Sequence, residues 1–252
     1  MSSNTTVYLF PHILKCAGLS VRDYLLHDVP PRGSAVIYSK PEQRPWLDPK
    51  TRVPQADRDE IRILFGHRLP RAAARGFDGR IIREVGLLRE PVSFYVSLYN
   101  FLQKTPERHR IVGMSFEQWY PTNKHNRISR FYFRHYFGLS SLGIRRMSQR
   151  QRFEFLSRQF ETFWFVGDYR NCDAVMEQMT QDIGWKFEKL PHENAAPTNA
   201  LRSQDISEGL RQKIREDNAL DRALYETWAE RKWGDNPTLE RGQVLNNRWT
   251  WQ

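Results

Sequence analysis

Cysteine is nearly absent: Cys16 and Cys172 are the two thiols in 252 residues, and they stand far apart. A disulfide scaffold or a zinc site needs more thiols at tighter spacing, so neither organises this chain, and a reducing compartment is the expected setting. Long apolar runs are missing too, and nothing approaches the ~20 residues that cross a bilayer. The opening Met1-Ser2-Ser3-Asn4-Thr5-Thr6 lacks the basic and apolar regions of a signal peptide, which points to a cytoplasmic protein without a membrane span. Internal repeats and low-complexity stretches are absent, and so is the Walker pattern G-x-x-x-x-G-K-[ST].

What is present supports a packed core. Hydrophobic residues make up 39% and aromatics 13%, enough to exclude a largely disordered chain. Residues 1–233 are expected to form one domain, with 234–252 a polar and aromatic tail of unassigned structure. The formal charge of +10 calls for an anionic partner: a polyanionic cofactor, an acidic acceptor or nucleic acid. The arginines are scattered rather than gathered in an arm, so nucleic acid is not expected. The densest group, Arg145, Arg146, Arg150, Arg152 and Arg158, fits either a nucleic-acid module or a helix face gripping an anionic acceptor.

The pattern of elements alternates. Val7 to Phe10 reads as a buried strand, and Leu19 to Leu26 as a helix behind a turn at Gly18. Further strands are expected at Ala35 to Tyr38, Ile61 to Phe65, Ile81 to Leu88 and Phe163 to Val166. Pro41 to Pro54 is proline-rich and predicts an irregular connection. Pro91 suits a first helical turn, with Val92 to Leu102 behind it. Asp173 to Ile183 predicts a helix ended by Gly184, and Ile206 to Trp233 one long helix or two short ones. The sum is an α/β fold, a single P-loop-like domain with a central, mostly parallel sheet flanked by helices.

The segment Phe10-Pro11-His12-Ile13-Leu14-Lys15-Cys16-Ala17-Gly18-Leu19-Ser20 carries the most chemistry. A strand that runs through a small-residue turn into a helix aims backbone N–H groups at one point, with the helix dipole behind them. Ala17 and Gly18 permit close approach of a phosphate, Lys15 adds a full charge and Ser20 a hydroxyl. A second segment is Leu88-Arg89-Glu90-Pro91-Val92-Ser93-Phe94-Tyr95-Val96-Ser97-Leu98-Tyr99. Arg89 ends a strand just ahead of a helix, where its guanidinium can fork onto a phosphate, and Ser97 lies two turns along that helix.

Together the two segments resemble the cofactor elements of the PAPS-dependent sulfotransferases, the carbohydrate and heparan sulfate 2-O-sulfotransferase group. The first is similar to F-x-H-I-P-K-T-[AG]-G-T-[ST], with Leu14, Cys16 and Leu19 departing from it. The second is similar to L-R-[DE]-P-x-x-R-x-x-S-x-[YF], with Phe94 in place of the second arginine. Phe163 to Tyr169 and Asn218 to Tyr225 resemble later family elements more faintly. The resemblance covers residues 7 to 230 and implies sulfuryl transfer from 3′-phosphoadenosine 5′-phosphosulfate (PAPS) to an acceptor hydroxyl, leaving adenosine 3′,5′-bisphosphate. It implies that Lys15, Cys16, Ala17, Gly18, Leu19 and Ser20 hold the 5′-phosphosulfate and that Arg89 and Ser97 hold the 3′-phosphate. Lys15 then stabilises the leaving oxygen, and no metal is required. Loss of the loop hydroxyls at Cys16 and Leu19 leaves an inactive relative as an alternative.

A base completes the expectation. His67 follows a strand in Phe65-Gly66-His67, similar to a Gly-His after a strand in the 2-O-sulfotransferase group, and is the expected base. Glu84 and Glu90 are alternatives to it. His12 is expected to stabilise the turn, His109, His125 and His135 to touch acceptor, and His192 to lie near the nucleotide. Cys16, beside Lys15 and a helix N-terminus, is expected to have a depressed pKa. Acceptor loops are expected at Arg68 to Arg80 and Thr105 to Phe137, for a hydroxyl-bearing acceptor, a carbohydrate or another polar molecule, neutral or anionic. Rival readings are a P-loop kinase for a small molecule and a non-catalytic module for acidic glycan or nucleic acid.

Overall fold

The structure is a computed structural model that describes residues 6–30, 32–37, 55–77, 79–190 and 200–230. Its first half supplies strands β1 (Thr6–Pro11), β2 (Ser34–Val36), β3 (Ile63–Gly66) and β4 (Ile81–Leu88), with helices α1 (Gly18–His27), α2 (Gln55–Glu60) and α3 (Pro91–Leu102). Short helices α4 (Pro106–His109), α5 (Phe116–Trp119) and α6 (Arg127–Phe131) follow, and α6 runs into a π-helical turn at Tyr132–Tyr136. Then come α7 (Ser141–Arg146), α8 (Gln149–Glu161), β5 (Phe165–Asp168), α9 (Cys172–Ile183), α10 (Glu208–Asp217) and α11 (Ala219–Trp228).

The five strands form one sheet in the order β2-β3-β1-β4-β5, every pairing parallel. A parallel sheet needs cover on both faces, and β1 shows it: Val7, Tyr8, Leu9 and Phe10 are all at most 1% exposed. Tyr8, Phe10, Ile63, Phe65 and Val85 join the main core on one face, with Val21 and Tyr24 of α1 and Met176 and Met179 of α9. On the other face, Val7, Leu9, Leu64 and Ile82 pack with Ala73, Ala74 and Phe77 of the turn after β3. The expected α/β architecture with a central parallel sheet is what forms.

Boundaries moved where local hydrogen bonds won. β5 begins at Phe165 instead of Phe163, because the Phe163 N–H bonds the Phe160 carbonyl and prolongs the turn after α8. The stretch from Ile206 divides at Asn218, whose amide is held by Tyr95, Tyr120 and the Ile214 carbonyl. Gly184 ends α9 in the left-handed conformation, φ 75°. The span expected as an acceptor loop, Thr105 to Phe137, instead folds into helices that bury Trp119, Tyr120, Tyr132, Phe133 and Tyr136. Likewise Arg71–Gly76 is a 3-10 helix. The Pro41 to Pro54 connection, Tyr38, His192 and the 234–252 tail lie outside the described residues. Among the described residues, no helix is long and apolar enough to cross a membrane.

Candidate functional site

The strand order reverses direction between β1 and β4. The chain leaves β1 toward β2 on one side and leaves β4 toward β5 on the other, so a crevice opens at the carboxyl ends of these two neighbours. A cavity of about 600 Å³ lies there, within the ~300–1,000 Å³ typical of ligand sites. Lys15, Ala17, Gly18, Leu19, Ser20, His67, Arg89 and Ser97 all line it. Eight of the nine residues expected from sequence thus converge, from positions as far apart as 15 and 97.

The loop after β1 is held in an uncommon shape. Lys15 and Ala17 have φ of 65° and 56°, left-handed values that cost non-glycine residues about 1 kcal/mol or more each. Ala17 is the residue before α1, and no side chain caps that helix. The N–H groups of its first turn therefore have no intrahelical acceptor and remain for a ligand. Gly18 is required by His12, whose buried ring would sit 1.8 Å from any Cβ added there. The expected structural role of His12 follows directly from that contact.

Arg89 bridges the two halves of the crevice. Its Nη1 donates to the Lys15 carbonyl at 2.6 Å, its Nε donates to Ser93 Oγ at 2.9 Å, and its guanidinium lies 4.2 Å from the Tyr169 ring centroid. Nη2 has no protein partner among the described residues. Ser93, Ser97, Asn100 and Phe101 lie on one face of α3 and line the cavity with Lys104 beyond its end. The Lys15 ammonium rests 4.7 Å from the Phe101 centroid. Burial, then the nearby Arg89 and Lys104 charges, pull the Lys15 pKa down to about 8.

His67 is oriented by the same loop. Its Nδ1 lies 2.7 Å from the His12 carbonyl, which only accepts, so Nδ1 carries the proton and Nε2 the lone pair. The ring stacks on His12 with centroids 3.9 Å apart. Burial holds the His67 pKa below the ordinary histidine value, opposed by the His12 carbonyl and aided by His135. At neutral pH His67 is an imidazole with a basic nitrogen at the cavity wall.

Several expectations are corrected. The Cys16 thiol does not line the cavity: it is 2% exposed within the main core, and burial pushes its pKa up to about 12 instead of down. Neither the side chain nor the backbone of Cys16 is part of the cavity lining. Glu84 cannot serve as a base, because it is wholly buried between Arg71 at 2.6 Å and the Tyr136 hydroxyl at 2.5 Å. Glu90 caps α3 by accepting from the Ser93 N–H and faces Arg215. His109 and His125 lie outside this cavity, His125 lining a second one. Phe94 is 3% exposed, so its position faces the core rather than the site.

The cavity also holds residues that sequence reasoning missed: Arg22, Asn100, Lys104, Tyr169, Arg202 and Ser203. Asn100 was legible in principle, seven residues past Ser93 on one face of α3, with Lys104 just beyond the helix end. Arg202 and Ser203 carry no local signal.

No protein-family model, curated protein or solved structure matches this chain.

Proposed function

We propose that the crevice binds PAPS and that the protein transfers its sulfuryl group to an acceptor hydroxyl. The observation that carries this reading is the convergence of two separate anion-binding corners in one cavity. Lys15 and the uncapped start of α1 form one, and Arg89, with Ser97 on α3, forms the other. A nucleotide with phosphate groups at two positions on its ribose suits two corners better than a single triphosphate chain does. Arg22, Lys104 and Arg202 add to the positive lining.

The residues present fit that substrate. Gly18 and Ala17 leave room beside the backbone, first-turn N–H groups and Lys15 meet the 5′ end, and Arg89 keeps Nη2 for a 3′-phosphate while Ser97 offers a hydroxyl. Bound PAPS supplies an electrophilic sulfur joined to phosphate through a bridging oxygen. His67 Nε2 takes the acceptor proton as the acceptor oxygen bonds to sulfur. Lys15 and the α1 N–H groups stabilise the electron pair left on the bridging oxygen as the S–O bond breaks. The His12 carbonyl keeps His67 in the tautomer that this step needs.

The test is ligand-dependent thermal stability. Adenosine 3′,5′-bisphosphate should stabilise the protein well beyond AMP or ATP, by roughly 2.7 kcal/mol at about 100 times Kd. Equal stabilisation by AMP would remove Arg89 and Ser97 from the 3′-phosphate role. Turnover that vanishes in EDTA and returns with magnesium would favour phosphoryl transfer instead.

A further inference from the structure

The Lys15 ammonium is half-buried against the Phe101 ring, and among the described residues it has neither a carboxylate partner nor a hydrogen-bond acceptor. The crevice offers it none. Arg22, Arg89, Lys104 and Arg202 line that space with Lys15, and no Asp or Glu among the described residues does. Arg22 is paired with Asp23, whereas Lys104 is exposed and Arg89 keeps Nη2. Burial first, then Arg89 and Lys104, disfavour the protonated amine and bring its pKa to about 8. At pH 7 about a tenth of it is neutral, against about one in two thousand for an ordinary lysine.

The same surroundings favour a negative charge at that place. Arg89 Nη2 and the Ser97 hydroxyl are donors open to an anion, and the cations that oppose the ammonium would attract one. An amine that gains by giving up its positive charge, among groups that welcome a negative one, suits one small electrophile. We infer that Lys15 is a carbon dioxide site, where the amine forms a carbamate held by Arg89 in the crevice.

In that step the lone pair of the neutral amine bonds to the carbon of carbon dioxide. One C–O π pair moves onto oxygen, and the nitrogen releases a proton to water. The product carries one negative charge where the ammonium carried one positive charge, so every interaction with the cationic lining changes sign. Carbon dioxide is itself uncharged and apolar. It needs no donor to enter beside Leu14, Val96 and Phe101, and it acquires charge only at the amine. Lys104, Lys124 and Lys213 lack this setting: all three are exposed to water, and Lys213 already pairs with Asp217. Carbamate formation stands without sulfuryl transfer. Only its consequence rests on that reading, since a carbamate in the phosphate's place makes carbon dioxide a competitor of PAPS.

The test traps the carbamate on the full chain. Protein equilibrated near pH 8 with carbon-13-labelled bicarbonate is treated with triethyloxonium, which fixes a carbamate as its ethyl ester, then digested and read by mass spectrometry. Lys15 should carry the label about tenfold or more above Lys104, Lys124 or Lys213. No label on Lys15, or an even spread over these lysines, overturns the inference. Lys104→Gln, at an exposed position, removes a charge that opposes the ammonium and attracts the carbamate, and should lower Lys15 occupancy about threefold or more. Unchanged occupancy in a variant with the wild-type melting temperature would refute stabilisation by the cationic lining. Saturating adenosine 3′,5′-bisphosphate should suppress the label. A nucleotide that stabilises the protein while the label persists would place the carbamate outside the phosphate corner and overturn the inference. Label without any stabilisation by the nucleotide would sink the proposed function alone.

Discussion

Lys15 gives the proposed site a distinctive pH dependence. Its pKa in the free protein is drawn down from the ordinary lysine value to about 8, by burial first and by Arg89 and Lys104 next. The protonated form binds a phosphate, so affinity for adenosine 3′,5′-bisphosphate is full below that pKa and lost above it. The ligand does not confuse the measurement, because phosphate monoesters have a second pKa near ~6 and are ionised throughout. Cys16, pushed up to about 12, and His67, held below its usual value, also stay fixed in this window. At pH 9 about a tenth of Lys15 remains charged, so Kd should rise roughly tenfold per pH unit above 8. That rise stops at the higher lysine pKa of the complex, where the bound anion favours the charged form. Isothermal titration calorimetry between about pH 7 and 9.5 reads it directly. Lys15→Arg, which stays charged, should flatten the profile. A Kd that is level in the wild type, or that climbs equally in the arginine variant, refutes the placement of Lys15 at the phosphate.

His67→Ala should leave adenosine 3′,5′-bisphosphate binding close to wild type while lowering kcat by about 10²- to 10⁴-fold on any acceptor that supports turnover. Near-normal turnover would move the base elsewhere, and lost ligand binding would make His67 part of the nucleotide site. Cys16 should resist iodoacetamide in the native protein with or without ligand, its thiolate being about a thousandfold scarcer than that of a free thiol. Rapid native labelling followed by mass spectrometry would contradict its burial. Glu84→Ala strands the Arg71 guanidinium, whose side chain is 11% exposed, and should cost about 3–5 kcal/mol in a denaturant titration. A loss under about 1 kcal/mol would show that Gln159 and Thr162 suffice for Arg71.

By itself the sequence determined the alternation of strands and helices and the two segments that line the crevice. Those signals are local: a β-branched and aromatic run in β1, β-branched and leucine residues in β4, Pro91 at the first turn of α3, and small residues between β1 and α1. Lys15, Gly18, Arg89 and Ser97 were legible because strand ends and helix starts fix where such side chains go. The Cys16 error has the opposite cause. Proximity in sequence to a lysine and a helix start says nothing of which way a side chain turns, and the tertiary core took the thiol. Glu84 was misread for the same reason, since only the fold brings Arg71 and Tyr136 against it. The Thr105 to Phe137 span offered no clean period, and its short helices exist because aromatic packing holds them. Arg202 and Tyr169 depend on segments that meet only once the chain is folded. Local chemistry is written residue by residue, whereas burial, charge pairing and convergence are properties of packing, and the tertiary structure alone decided them.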